Sequence, residues 1–141
     1  MKKILVMLLT FLFCKFVFAS EVTCLADTIY NEARSEPLIG QKAVAAVVFN
    51  RIKSKSAIYK ENTVCATVKK KAQFASGKPA KKGFEREKYY KIRRNSLKWY
   101  YEFVNKKFVD PTYGSLLFAS RGYIHKGKKK TVKIGGHQFF K

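Results

Sequence analysis

Apolar residues recur at three- and four-residue steps in three stretches of this chain, and that spacing predicts helices with one buried face. The first stretch covers residues 21–34, and Pro37 predicts that this helix ends near Glu36. The second covers residues 40–52, where a middle rich in Ala and Val is typical of a fully buried helix. The third, about 85–108, alternates aromatic residues with Lys and Arg. The pattern therefore indicates a mainly helical domain.

Outside these helices the pattern changes. Residues 53–84 lack periodicity and are interrupted by glycine and proline, which predicts a long connection of the kind that tends to line a site. After the third helix, residues 114–120 and 131–140 have β-type composition and are separated by the basic turn 125–130. With 141 residues and no internal repeat, the chain is predicted to form a single α+β domain, mainly helical, with a small sheet near its C-terminus.

The first nineteen residues have the layout of a secretion signal. Lys2 and Lys3 precede an apolar run over 4–14, and Val17 and Ala19 supply the small residues of a cleavage site. We therefore expect cleavage near Ala19, a mature domain over 20–141, and a periplasmic, secreted or cell-wall location. A retained anchor or a phage-type release signal is the alternative.

Cysteine usage fits an exported protein. Removal of residues 1–19 also removes Cys14 and leaves one pair, Cys24 and Cys65. Two cysteines in an exported domain are often joined, so we predict a disulfide between them. The alternative is two independent buried thiols.

The charge balance is strongly basic. Thirty Lys and Arg stand against nine Asp and Glu, for a formal net charge of +21. Such an excess favours an anionic partner, which outside the cytoplasm means wall polymers, lipid head groups or stray nucleic acid. A general lysine-rich bias with solvated charges is the alternative, so charge indicates the surroundings of the protein and not its substrate.

Two of the few acids, Glu32 and Glu36, lie four residues apart on the first helix. A general acid needs a raised pKa, which partial burial supplies, and Glu32 is the better candidate because it falls within the helix beside Tyr30. Spacing alone favours two solvated carboxylates. The two histidines, His125 and His137, are not in a metal-ligand motif, and no nucleotide-binding motif is present, so we predict no metal and no cofactor.

Four blocks together resemble the SleB/CwlJ cell-wall hydrolases, the spore-cortex-lytic-enzyme family. They are CLADTIYNEARSEPLIGQKAVAAVVFNRI, TVCATVKKKAQF, DPTYGSLLF and IGGHQFF, in that order, and they extend over about residues 22–140. The resemblance implies a domain related to goose-type lysozymes and lytic transglycosylases, acting on peptidoglycan. It implies that Glu32 protonates the bond between N-acetylmuramic acid and N-acetylglucosamine, after which the 6-hydroxyl of the sugar closes an anhydro ring.

The resemblance also assigns weaker roles. Gln73 and Phe74 are expected to line the glycan groove, Tyr30 to position Glu32, Glu36 to lie at the groove edge, and His137 to reach the cleft from the last strand. Core packing is the alternative for Phe74, and a packed position in the strand is the alternative for His137. Three further matching residues are expected to anchor turns and loops: Asn50, Arg51 and Asp110. The family's glycine and serine are replaced by Ser35 and Ala75, and no histidine follows the 117–119 segment, which bears on substrate preference.

The resemblance leaves two other functions open. One is an N-acetylmuramoyl-L-alanine amidase, for which the supply of metal ligands is thin. The other is a non-catalytic basic module that binds wall or nucleic acid. The leading prediction is a monomeric lytic transglycosylase that binds peptidoglycan glycan strands and an anionic envelope surface, with no specific nucleic acid partner.

Overall fold

The computed structural model describes residues 2–54, 56–70, 73–79, 82–120 and 122–141, with the backbone alone for residues 2–16. Its helices are α1 (Lys2–Ala33), α2 (Leu38–Lys53), α3 (Val64–Lys69) and α4 (Gly83–Val104). Its strands are β1 (Leu117–Ser120), β2 (Lys130–Ile134) and β3 (His137–Phe140), in one antiparallel sheet of order β1-β3-β2. The predicted α+β class, with a small C-terminal sheet, is confirmed.

α1 is longer than the predicted helix because it begins at Lys2 instead of near Glu21. The segment read as a secretion signal is thus continuous with the first helix, and its cleavage stays a prediction. Within the described part of the chain, the apolar stretches of the helices are all too short or too polar to cross a bilayer.

α2 is the central helix of the domain. Its middle, from Ala43 to Phe49, is completely buried, as its composition predicts. Phe49 stacks on Phe103 at 4.2 Å between ring centroids and meets Phe108 edge-on at 4.8 Å. Small side chains let the neighbouring helices approach α2 closely, and the aromatic rings fill the space at its C-terminal end.

α3 was not predicted, because six residues are too few to show a helical period. Its first turn is fixed from outside: the backbone N–H of Val64 donates to the buried carboxylate of Glu21 at 2.5 Å, and the Thr63 hydroxyl accepts from Ala66. The predicted disulfide is present between Cys24 of α1 and Cys65 of α3.

The segment predicted as one strand over 131–140 is a hairpin, so that prediction was wrong. Gly135 has a φ of +57°, which turns the chain between β2 and β3. Glu36 lies against this turn, and one carboxylate oxygen accepts the Gly136 N–H at 2.9 Å. A Cβ atom on Gly135 would lie 1.9 Å from Glu36 Oε2, so only glycine allows this approach.

Asp110 organises the loop that leads into β1. Its carboxylate accepts from the backbone N–H groups of Thr112 and Gly114, both at 2.7 Å, and from Asn50 Nδ2 at 2.9 Å. Burial favours the neutral acid, but these hydrogen bonds, together with one from the Thr112 hydroxyl, outweigh it and lower the pKa of Asp110. The predicted turn-capping role of Asp110 is confirmed.

The lowered pKa of Asp110 makes stability depend on pH in acid. The contribution of its carboxylate is present above the unfolded-state pKa of about 3.9 and is lost as pH falls through the folded-state pKa. We expect Asp110→Asn to lower the free energy of unfolding by about 1–3 kcal/mol near neutral pH. The deficit relative to wild type should shrink below about pH 4. Urea unfolding at a series of pH values measures this, and a pH-independent deficit would contradict it.

The contact between Glu36 and the hairpin predicts a difference between two glycines. Gly127 also has a positive φ, +75°, but a Cβ atom there meets nothing within 4 Å. Gly127→Ala should therefore cost about 1–2 kcal/mol for backbone strain alone. Gly135→Ala should cost a further 1–3 kcal/mol or so, since Glu36 is displaced and Gly136 loses its acceptor. Equal losses in the two variants, measured by urea unfolding, would show that Glu36 does not fasten the turn.

Candidate active site

Glu32 lies in the last turn of α1 and is half-buried. Its carboxylate accepts a hydrogen bond from the backbone N–H of Ala75, at 2.5 Å, so the segment 73–79 lies directly over the end of the helix. The same segment is held a second time, because Asn31 Nδ2 donates to the Gly77 carbonyl at 3.1 Å. The predicted acid is thus at a protein surface, beside a loop that Asn31 and Glu32 itself hold in place.

The structure separates Tyr30 from Glu32. Residues two apart on a helix point about 200° from each other, and Tyr30 faces α4. Its buried hydroxyl donates to Glu85 at 2.8 Å, and its ring meets Tyr89 edge-on at 5.7 Å between centroids. These contacts make Tyr30 part of the α1–α4 interface, and its role toward substrate stays a prediction.

Arg51, at the end of α2, connects the loop over Glu32 to the sheet. The side chain is 3% exposed; Nε donates to the Leu116 carbonyl at 2.8 Å and Nη1 donates to Gln73 Oε1 at 2.9 Å. The guanidinium also lies 4.5 Å from the ring centroid of Phe74. Arg51 therefore fixes both of the groove residues predicted from the second block.

The charge of Arg51 also acts on Glu32. Burial lowers the pKa of Arg51, while its interactions with Tyr59 and Glu32 act in the opposite direction. The guanidinium is thus within electrostatic reach of the predicted acid. From the sequence, Arg51 was expected only to anchor a loop. A charged residue directly after the apolar run 43–49 and Asn50 was the signal that it is also close to the site.

His137 is buried at the start of β3 and continues the same line of side chains. Phe74 and Phe118 lie 6.3 Å apart, and Phe118 and His137 lie 5.1 Å apart, between ring centroids. His137 Nδ1 is buried and has no hydrogen-bond partner among the residues that the structure describes. Gln73, Phe74 and His137 are therefore brought together through Arg51 and Phe118, while Tyr30 lies elsewhere.

Two cavities flank the end of α1. One of about 420 Å³ adjoins the loop over Glu32 and is lined by residues of α1, α3 and that loop, including Asn31, Lys70 and Phe74. The other, of about 560 Å³, lies between the α1–α2 turn and α4, with Glu36 and Phe84 in its wall. Glu36 lines this second cavity while its carboxylate is held by the hairpin, and its role at the edge of a glycan groove stays a prediction.

A model of the Cell Wall Hydrolase family matches residues 35–140, a stretch that begins just after Glu32. Spore cortex-lytic enzymes are similar over shorter stretches. The enzyme of Halalkalibacterium halodurans is 49% identical over 35 residues, or 25% of this chain and 11% of that enzyme. The enzyme of Bacillus cereus is 46% identical over 37 residues, or 26% and 14%. These matches span only a small part of the length of either enzyme.

Two solved structures are similar over most of the chain. The catalytic domain of the germination-specific lytic transglycosylase SleB from Bacillus anthracis superposes with a TM-score of 0.61 and 26% identity, covering 86% of this chain and 93% of that one. The catalytic domain of SleB from Bacillus cereus gives 0.58 and 25%, covering 86% and 89%. The resemblance found in the sequence is confirmed. The chain belongs to the cell wall hydrolase family.

Proposed function

We propose that this protein cleaves the glycan strand of peptidoglycan, between N-acetylmuramic acid and N-acetylglucosamine, as a lytic transglycosylase. The observation that carries the proposal is the position of Glu32. A half-buried carboxylate at the end of α1 accepts a hydrogen bond from Ala75, in a loop that lines an open cavity, and Arg51 holds Gln73 and Phe74 of the same loop. The fold is similar to that of a catalytic domain described as a lytic transglycosylase.

In this reaction Glu32 donates its proton to the glycosidic oxygen, and the bond from that oxygen to C1 of the muramic acid breaks. The 6-hydroxyl of the same sugar then attacks C1, and Glu32 takes the hydroxyl proton, which restores the acid. The products are a new 4-hydroxyl end and a 1,6-anhydro end. Covering a carboxyl group with a sugar favours the protonated form that the first step needs.

The neighbouring carboxylates support a mechanism with one acid. Hydrolysis by retention or inversion generally uses two carboxyl groups. Here Glu36 is bound to the Gly136 N–H and Asp110 accepts several hydrogen bonds in its own loop. Both carboxylates hold backbone outside the loop over Glu32, which supports a mechanism in which Glu32 acts as the single acid.

Three of the other predicted residues, Gln73, Phe74 and His137, are proposed to contact the glycan. Phe74 provides an aromatic surface for a sugar ring, and Gln73 provides an amide for hydroxyl or acetamido groups. His137 lies on the sheet side of the same residues, with its ring 5.1 Å from that of Phe118. We further propose that the protein acts as a monomer outside the cytoplasm, after loss of residues 1–19.

The test is digestion of purified sacculi by wild type and Glu32→Gln. Glutamine keeps the size of the side chain but cannot deliver the proton, so we expect the rate to fall about 10²–10⁴-fold. Glu36→Gln is the matched control, because its amide oxygen still accepts from Gly136, and it should keep most of the activity. Mass spectrometry of the products should find anhydromuramic ends.

Other outcomes would contradict parts of the proposal. Reducing muramic ends would indicate hydrolysis, and free stem peptides would indicate an amidase. A Glu32→Gln variant as fast as wild type would remove Glu32 from the chemistry. No cleavage by the wild-type protein, together with salt-dependent binding to sacculi, would indicate a binding module.

A further inference from the structure

The side of α4 that points away from the domain is aromatic and aliphatic. Ile92 and Trp99 on the opposite side are buried in the core. On the outer side, the exposed fraction is 46% for Tyr90, 48% for Leu97 and 60% for Tyr101. These three residues are seven and four positions apart, so they form one ridge along the helix. No other described element covers this ridge.

Basic side chains flank the ridge. Arg93, Arg94 and Lys98 are exposed beside it, and Arg86 lies one turn before Tyr90. The Arg86 guanidinium lies 4.4 Å from the Tyr90 ring centroid, and Nη2 donates to the Tyr90 hydroxyl at 2.7 Å. We define the α4 outer face by six residues: Arg86, Tyr90, Arg93, Arg94, Leu97 and Tyr101.

The acids of α4 do not neutralise this face. Glu85 is engaged by Lys88 at 2.8 Å on the side facing α1, and Glu102 is 4.0 Å from Lys98. The remaining acid, Glu87, is exposed at this face, where the bases Arg86, Arg93 and Arg94 outnumber it three to one. A shallow cavity of about 400 Å³ lies within the face, lined by Glu87, Tyr90, Arg93, Arg94 and Leu97. Its walls therefore combine guanidinium groups with apolar surface.

We propose that the α4 outer face docks the protein on an anionic phospholipid bilayer. Basic side chains near a membrane surface are attracted to anionic head groups, and apolar side chains on the same helix face gain by entering the interfacial region. A purely polyanionic polymer would use the bases but would leave the ridge of Tyr90, Leu97 and Tyr101 in water. The combination of ridge and flanking bases therefore favours lipid over wall polymer or nucleic acid.

The docked orientation leaves the candidate active site accessible. Tyr30 of α1 faces α4, and Glu32 points about 200° away from it, toward the 73–79 loop. A bilayer on the outer side of α4 therefore lies across the domain from Glu32. The protein would be held at the membrane with its groove directed outward. The docking itself does not depend on the reaction proposed for Glu32.

The test uses the full chain and vesicles of phosphatidylglycerol and phosphatidylcholine in equal parts, followed by co-sedimentation. The triple variant Arg86→Gln, Arg93→Gln, Arg94→Gln should bind roughly a hundredfold more weakly. The matched control removes the same charge from the exposed turn before β2, by Lys126→Gln, Lys128→Gln and Lys129→Gln, and should bind nearly as wild type. A second triple, Tyr90→Ser, Leu97→Ser and Tyr101→Ser, keeps the charge and should lose roughly tenfold or more.

A position-specific probe separates this face from the apolar N-terminal segment, which every variant retains. In a Cys14→Ser background, an environment-sensitive fluorophore on Leu97→Cys should shift to the blue with these vesicles. The same fluorophore on Lys126→Cys should not shift. Neither should shift with phosphatidylcholine alone.

Three outcomes would overturn the proposal. Equal losses of vesicle affinity in the two charge triples would mean that net charge, and not this face, binds the vesicles. No loss of affinity in either triple, with no fluorescence shift at position 97, would mean that this face is not used. Binding of duplex DNA that the arginine triple abolishes, without lipid binding by wild type, would assign the face to a nucleic acid. Thermal unfolding of each variant should match wild type, since all the substituted residues lie on the surface.

Discussion

The buried polar end of α2 is the constraint on which the rest of the site depends. A helix whose middle is entirely apolar ends in Asn50 and Arg51, which are 8% and 3% exposed. A buried guanidinium without partners is strongly unfavourable, so the chain around it must supply acceptors. Arg51 obtains them from Gln73 and the Leu116 carbonyl, and Asn50 from Asp110 and the Ser115 carbonyl. Two loops distant in sequence are thereby fixed to one helix end.

Fixing those loops also positions the side chains around Glu32. Because Gln73 is held by Arg51, the next residues pass over the end of α1, where Ala75 donates to Glu32. Because the Leu116 carbonyl is held on the other side, β1 starts from a fixed point, and its residue Phe118 lies between Phe74 and His137. The loop over the predicted acid and the strand that carries Phe118 are thus connected through one buried charge.

Much of this fold follows from local pattern, and the part that does not is fixed by distant contacts. The 3.6-residue period predicted α2 and α4 within a few residues, since each helix carries apolar residues at helical spacing. α3 was not predicted because its position depends on Glu21 and on the disulfide, not on periodicity. The hairpin was missed although its turn carries Gly135 and Gly136, a pair that is typical of a two-residue hairpin turn. Glu36 meets Gly136 across 100 residues of sequence, a contact that spacing on one helix cannot indicate.

The scarcity of acids has a structural consequence for the surface. Glu21 binds the start of α3, Asp27 accepts from Tyr89, Glu36 holds the hairpin and Asp110 holds its own loop. These carboxylates accept hydrogen bonds inside the fold, while Glu61, Glu85 and Glu102 pair with lysines nearer the surface. Because Lys and Arg still far outnumber the acids, exposed faces remain basic, and the effect of that charge differs with what surrounds it. On the turn before β2 the lysines are solvated. On α4 similar charges flank aromatic and aliphatic side chains, and this combination favours binding to a bilayer over binding to other polyanions.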